Sequence, residues 1–358
     1  MRLLRFFAIG VALSTSLLPA QADPLNSDQK MVLIKTIGGT ISPKSVLASD
    51  TGLISAHNMM YNHSVTIYDA NKAELIATVP DSVVLSDYGF TQYSGNYKGA
   101  PVEGAFSPDG KYLYFTNYAM YGKGFKKEGH DTCSPASGYD TSFLSRINLE
   151  SKKIDAVFSV GSVPKVVKVT PNNKYILVSN WCSYTVTIIS VESGKTVKSI
   201  KIGRYPRGIA ITDDSQFAYI AEMGGSNVHR IDLSNFSKTL VPVGSNPRAV
   251  VLSPDGARMY ITMNLSGKVQ AWDLINNKSI KSVKTGEAAR SLDISTDGSA
   301  LFVVNFNSDT VSKVRTSDMK VLQTIKVCNE PIGVTYDSST NRTWVACYGG
   351  ALKVFENK

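Results

Sequence analysis

Metal and nucleotide signatures are missing from this chain. Its 358 residues hold only four histidines and four cysteines, with no CxxC, HExxH, GxSxG, P-loop or GxGxxG pattern. The chemistries that announce themselves by such spacings therefore have no support, and no cofactor or metal is implied. No block of like charge and no low-complexity tail is present. After Leu18 no stretch is apolar enough to span a bilayer, which takes about 20 consecutive apolar residues.

What is present begins with an export pattern. Arg2 and Arg5 form a positive n-region, Phe6 to Leu18 an apolar h-region, and Ala20-Gln21-Ala22 an A-x-A cleavage site. Residues 1–22 are expected to be a signal peptide, with a mature domain over 23–358. That places the protein in the periplasm or outside the cell, soluble and monomeric. The formal net charge is +9, or +7 without Arg2 and Arg5. Such a balance attracts anions weakly and is silent about fold.

The strongest signal is a repeat. Gly161, Gly203, Gly244, Gly286 and Cys328 follow one another at 42, 41, 42 and 42 residues, the period of a four-stranded propeller blade. Each unit has an opening turn such as Gly203-Arg204-Tyr205-Pro206, an apolar run, an Asp/Gly hairpin and three further strand-like runs. A unit this small has no core of its own and must stack on its copies. Extending the pattern outward gives seven units. The last stops at Lys358 one strand short, and Met31 to Ile37 matches the missing outer strand. The expected fold is all-β: a seven-bladed β-propeller closed by its N-terminal strand. Closure removes the exposed sheet edges.

Export makes disulfides possible, and four cysteines allow three pairings. The repeat register puts Cys328 and Cys347 at adjacent ends of the first two strands of unit seven. It puts Cys133, in a loop of unit two, beside Cys182 of unit three. Bridges 133–182 and 328–347 are expected, with free thiols or a metal site as the rival reading.

The second strands end in Thr116-Asn117, Ser179-Asn180 and Val304-Asn305, within frames of Gly-x-x-Pro and Ser-Pro-Asp-Gly. These motifs resemble the YVTN-repeat family over essentially residues 31–358. The resemblance implies an exported or surface-associated seven-bladed propeller, usually a binding or interaction protein. Related propellers include bacterial lactonases and haem- or quinone-associated oxidoreductase domains. Ala221-Glu222, Met263 and Cys347 depart from the motif, so no uniform Asn ring is carried over.

Three features fall on the face where first strands begin and second strands end. The residue after the opening turn reads Lys44, Val102, Lys165, Arg207, Arg248, Arg290 and Ile332. Five of these seven are basic, and a closed ring would gather them around an axis. One reading is a site for an anionic small molecule, glycan or partner protein, with Trp181, Tyr184 and Tyr205 as an aromatic wall. The other is repeat drift at a solvated rim neutralised by Glu103, Glu222, Glu287 and Glu330. Unit two also carries aromatic- and Gly-rich insertions at 88–97 and 118–139, either a lid or a rigid plug. His57, His63 and His130, with Asp131, Asp140 and Glu103, are weak metal candidates, and Asp131 and Asp140 weak calcium ones. The leading reading is a non-enzymatic binder of an anion or of a surface or periplasmic protein. The alternative is a lactonase-like hydrolase or lyase using Glu103, His57, His130 and Arg248. Nucleic acid is the least favoured partner.

Overall fold

The computed structural model describes residues 27–358, so the signal-peptide segment lies outside the described residues. Seven antiparallel sheets stand around one axis: six of four strands, and one of five in blade two. This is the seven-bladed propeller expected from the repeat. No helix among the described residues is long and apolar enough to cross a membrane.

The ring closes as the unfinished seventh unit requires. Met31–Ile37 lies antiparallel to Ala351–Asn357, with Met31 opposite Asn357 and Ile37 opposite Leu352. Lys30 and Lys358 extend the ladder by exchanging backbone hydrogen bonds of 2.7 and 2.9 Å. Met31 is buried with Phe302, Val334 and Phe355. Its backbone N–H donates to Gln323 Oε1 at 2.8 Å, and its carbonyl accepts from Gln323 Nε2 at 3.2 Å. The closing strand is thus fastened to blades seven and six together.

Burial follows strand order. Second strands such as Tyr175–Asn180 and Ala300–Asn305 are buried almost throughout, while outer strands such as Thr196–Lys201 face solvent along most of their length. Apolar clusters span neighbouring blades, as Leu177, Ile188, Ile209 and Ile220 do between blades three and four. Removing apolar surface from water between blades is the main stabilising term.

The Asn that ends a second strand ties its blade together. Asn180 Oδ1 accepts the Gly161 N–H at 3.0 Å, while its Nδ2 donates to Thr187 and Thr185 on the third strand at 2.8 and 3.1 Å. Asn58 and Asn305 bind their own opening turns and third strands in the same manner. Where the motif departs, another interaction does the same task. Glu222 accepts the Arg204 N–H at 3.1 Å and meets His229 Nε2 at 2.9 Å. In blade seven the link is covalent, Cys328–Cys347. Met263 has no polar tie and packs into an apolar cluster.

Blade two differs at Asn117. Asp81 is buried beside it, and neither carboxyl oxygen, nor Asn117 Oδ1, has a hydrogen-bond partner among the described residues. A Cβ at Gly99 would lie 2.3 Å from Asp81 Oδ2 and 2.5 Å from Asn117 Oδ1, so glycine is required there. Two acceptors without a donor are costly; a protonated Asp81 supplies the donor. Burial pushes this carboxyl up to about 8, opposed by the Asn117 amide. The folded-state value lies above the unfolded one, so the folded state holds the proton more tightly. Its stabilisation is complete below pH ~4 and declines until the pH passes about 8. Asp81→Asn should flatten this slope and raise stability at pH 8 by roughly 2–5 kcal/mol, read from urea unfolding at pH 5 and pH 8. An unchanged slope would show that Asp81 is ionised in the folded protein.

Candidate functional site

The geometry of the channel mouth is set by three backbone features repeated around the ring. First, every inner strand carries a bulge directly after its opening turn: Pro164 faces Asn180 but Val167 faces Val178, and the other six blades show the same extra residue. A bulge re-aims the residue it frees from the ladder, here the one after the turn. Second, the residue before the strand adopts a left-handed conformation in five blades: Val163, Tyr205, Asn246, Ala288 and Glu330, with φ of 52 to 63°. This costs about 1 kcal/mol or more for a non-glycine residue. Its carbonyl accepts the N–H of the residue after the second strand, at 3.0–3.1 Å in all five. Third, hydroxyls from the preceding blade satisfy the carbonyls that the bulge releases. Thr116 donates to Lys165 O, Ser179 to Arg207 O and Thr262 to Arg290 O, at 2.7, 2.9 and 3.0 Å. The Thr or Ser of the Thr-Asn motif thus holds the next blade's basic residue in place.

These features bring the five basic residues together. Lys165, Arg207 and Arg248 are buried, and Lys44 and Arg290 half-buried. Lys44 feels the charges of all four others. Arg207, Arg248, Arg290 and Glu103 line a channel cavity of about 140 Å³. Arg207 Nη2 donates to Glu103 Oε1 at 3.1 Å, a contact that reaches from blade four to blade two. Arg207 Nη1 is buried with no hydrogen-bond partner among the described residues. Of the other rim carboxylates expected from sequence, Glu222 is taken up by His229 and Arg204. Glu287 and Glu330 are exposed.

A second ring, not foreseen from the sequence, holds the first. The residues directly after the motif's Asn position are Met59, Tyr118, Trp181, Met223, Asn264, Phe306 and Tyr348. Lys44 Nζ lies 5.1 Å from the Tyr348 ring centre, Lys165 Nζ 4.3 Å from that of Tyr118, and Arg290 Cζ 3.8 Å from that of Phe306. Arg248 Nη1 points at Met223 Sδ at 3.3 Å. Aromatic faces and sulfur partner a cation without cancelling its charge. The readable signal was a soft side chain after the motif's Asn position in six of the seven repeats.

The charges strain one another. Burial, then the neighbouring Lys165 and Arg290, hold Lys44 well below the ordinary lysine range. Burial and Arg207 push Lys165 down to about 7, against the pull of Asp131. Burial and Arg207 bring Arg290 down to about 10. Groups that resist carrying their charge gain when an anion arrives.

The blade-two insertions divide into two parts. Tyr88, Phe90, Tyr93, Tyr97 and Phe125 form a small core with Phe143 and Val157 of the same blade, the plug reading. Residues 126–140 instead lie against the channel mouth, tied by the Cys133–Cys182 bridge. Both bridges expected from the register are therefore present. Trp181, Tyr184 and Tyr205 do not form an open wall. Tyr184 Oη donates to Cys133 O at 2.6 Å, Tyr205 Oη accepts the Cys133 N–H at 3.3 Å, and Trp181 Nε1 donates to Asp131 O at 3.0 Å. The Trp181 and Tyr205 rings stack at 4.4 Å. The three side chains clamp this loop and set Asp131 over Lys165, 3.4 Å away.

The histidines are not gathered. His57 is buried with Nδ1 2.9 Å from Ser45 Oγ, held to about 3 by burial. A Cβ on Gly104 would come within 2.4 Å of its Nε2. His63 meets Gly99 O, and His130 Nδ1 accepts the Thr132 N–H on an exposed loop. Asp140 accepts two backbone N–H groups from Lys126 and Lys127. No group of three or more His, Cys, Asp or Glu among the described residues is placed to hold a metal ion. Of the hydrolase set, Glu103 and Arg248 share the cavity lining and the two histidines do not.

No protein-family model matches the chain. Antigen Lp49 of Leptospira interrogans is 26% identical over 153 residues, 40% of this chain and 33% of the antigen, so the chain spans about a third of that relative's length. Kuenenia stuttgartiensis hydrazine synthase superposes with a TM-score of 0.68 at 16% identity, covering 89% of this chain and 96% of that one. That likeness concerns the fold alone.

The clamp is testable. Tyr184→Phe with Tyr205→Phe removes two hydrogen bonds worth about 1 kcal/mol each, leaving the disulfide and the propeller intact. Trypsin should then cut after Lys126 or Lys127 about tenfold faster, followed by mass spectrometry. Unaltered cleavage would mean that the bridge alone fixes the loop.

Proposed function

We propose that this protein is an exported binding propeller, periplasmic or secreted and monomeric, that takes an anionic ligand at its channel mouth. The observation that carries this reading is the buried, unpartnered Arg207 Nη1, set with Arg248 and Arg290 around one cavity and within electrostatic reach of Lys44 and Lys165. A buried guanidinium nitrogen without an acceptor is unfavourable, and so are like charges drawn to one axis. An oxyanion relieves both, and arginine binds carboxylate or phosphate oxygens in pairs.

The setting agrees. Two disulfides suit an oxidising, extracytoplasmic compartment. A relative named as an antigen is in keeping with a surface or binding protein. The YVTN-like motifs of the second strands fall in with the same reading, since such propellers are mostly described as binding proteins.

Sulfate is a suitable probe because its charge is constant between pH 6 and 9. Lys165, pushed down to about 7, is largely charged below that pH and loses its charge above it. Sulfate affinity should therefore fall as pH rises from 7 to 9, with proton uptake on binding at neutral pH. Lys165→Met should weaken the pH dependence, and Lys165→Met with Lys44→Met should remove it, since Lys44 is also held below the ordinary lysine range. Replacing Arg207, Arg248 and Arg290 together by Ala should abolish binding. Calorimetry in buffers of different ionisation enthalpy measures all three; sulfate binding that survives the triple substitution overturns the proposal.

A further inference from the structure

We infer that the channel site, on the anion-binding reading above, selects a compact oxyanion with two or more closely spaced negative charges over monovalent, long or polymeric anions. Three independent features of the cavity lead there.

The first is charge balance. Around the mouth five cations face two carboxylates, Glu103 on Arg207 and Asp131 on Lys165; of these, Arg207, Arg248, Arg290 and Glu103 line the cavity itself, with Lys168 and Asp293 completing its charged lining. Lys44, Arg248 and Arg290 have only Tyr348, Met223 and Phe306 as close partners, which leave their charge in place. A single negative charge neutralises one of these three and leaves the others repelling. A ligand with two or three charges offsets the cluster.

The second is size. The cavity of about 140 Å³ holds roughly ten waters, at about 10–15 Å³ each. A bound ligand therefore has about ten non-hydrogen atoms within the cavity. The bridged loop sets Asp131 against Lys165 at 3.4 Å, and that carboxylate is near enough to Lys165, Lys44 and Arg207 to be held below its ordinary range despite its partial burial. A polyanionic chain entering there meets a fixed negative charge.

The third is the axial arrangement. Along the inner strand Ala289–Ile294, Arg290 stands at the mouth and Asp293 three residues deeper, across the bulge between Ala289 and Leu292. Asp293 also lines the cavity, and its oxygens accept from Thr335 Oγ1 and the N–H groups of Tyr336 and Ile294. Three donors are aimed at this carboxyl, and Lys168, which lines the same cavity, acts on it electrostatically, so the deep end carries one group of each sign. The uncompensated positive charge lies at the arginine tier, which favours a ligand whose charges cluster there, as in phosphate or a branched tricarboxylate, over one that spreads them down the channel, as in a long α,ω-diacid.

The test is a calorimetric series on the full mature protein and on the Arg248→Gln and Arg290→Gln variants. The probes are inorganic phosphate, propane-1,2,3-tricarboxylate, acetate, octanedioate and hexaglutamate. Phosphate or the tricarboxylate should bind at least about tenfold tighter than acetate and octanedioate. Each variant should weaken that binding about tenfold or more. The ratio of the phosphate and tricarboxylate affinities identifies which oxyanion class is preferred. If acetate or octanedioate matches them, or hexaglutamate binds more tightly in an arginine-dependent way, the selectivity inference fails while the anion site stands. If no probe binds, or binding ignores both substitutions, the anion site falls as well. Arg248→Lys serves as the folded control that keeps the charge: it should retain part of the binding, and retention of none in a protein with native thermal unfolding counts against an electrostatic site.

Discussion

Ring closure is the constraint from which the channel mouth follows. Seven inner strands, each bulged at the same place, must point the same side chain toward one axis once Met31–Ile37 pairs with Ala351–Asn357. In an open array the five basic residues would stand apart. In the ring they repel: two unit charges about 8 Å apart interact by roughly 2 kcal/mol at an effective dielectric of 20. The downward shifts of Lys44, Lys165, Arg248 and Arg290 express that repulsion together with their burial. A large, closed fold can hold such a cluster because the interblade cores supply far more stabilisation than the cluster removes.

The mouth is held by partners that differ in kind. Aromatic faces and a thioether contribute about 0.5–2 kcal/mol per cation without neutralising it. The two carboxylates do neutralise, and both come from blade two: Glu103 from its inner strand and Asp131 from its long loop. At blade two the ring position itself is Val102, buried and apolar. The sequence that drops a cation there adds two anions beside the gap, so that blade two is the acidic side of a basic ring.

The fold was legible because its signals are local and recur: the 42-residue period, the opening turns, the Ser-Pro-Asp-Gly hairpins and the unmatched strand at Met31. The cysteine pairs followed from the same register. Lys44, Lys165, Arg207, Arg248 and Arg290 were legible by position, since one rule of alternation places all five. The soft ring of Met59, Tyr118, Met223, Phe306 and Tyr348 was present in the repeat, but nothing in it announces the cations, since from blade three to blade seven its tie to the opening turn is a backbone hydrogen bond. That bond depends on left-handed residues as unlike as Val163, Tyr205 and Glu330, so no residue type marks it. Trp181, Tyr184 and Tyr205 were read as an aromatic wall beside the cations; the sequence does not show that two of their hydroxyls turn toward the backbone of Cys133. Asp81 carried no signal at all. The upward push on its carboxyl comes from a burial that packing against Gly99 and Asn117 creates.

The asymmetry of the ring also gives a ligand a direction. Lys165, Arg207, Arg248 and Arg290 occupy four consecutive blades, an arc bounded on one side by Val102 and on the other by Ile332. The loop clamped through Cys133 and Cys182 sits at the Val102 end, and its Asp131 engages Lys165, the first cation of the arc. Glu103 engages the second through one guanidinium nitrogen and leaves the other bare. Lys165 and Arg207 each have a carboxylate in ion-pair contact, whereas Arg248 and Arg290 have none among the described residues, so the positive field is least offset at the far end of the arc. On the anion-binding proposal, an oxyanion would be drawn toward blades five and six, where the attraction is least offset. Arg207 Nη1 is the group on the loop side that still lacks an acceptor among the described residues, and on the same proposal it would mark the near edge of the ligand.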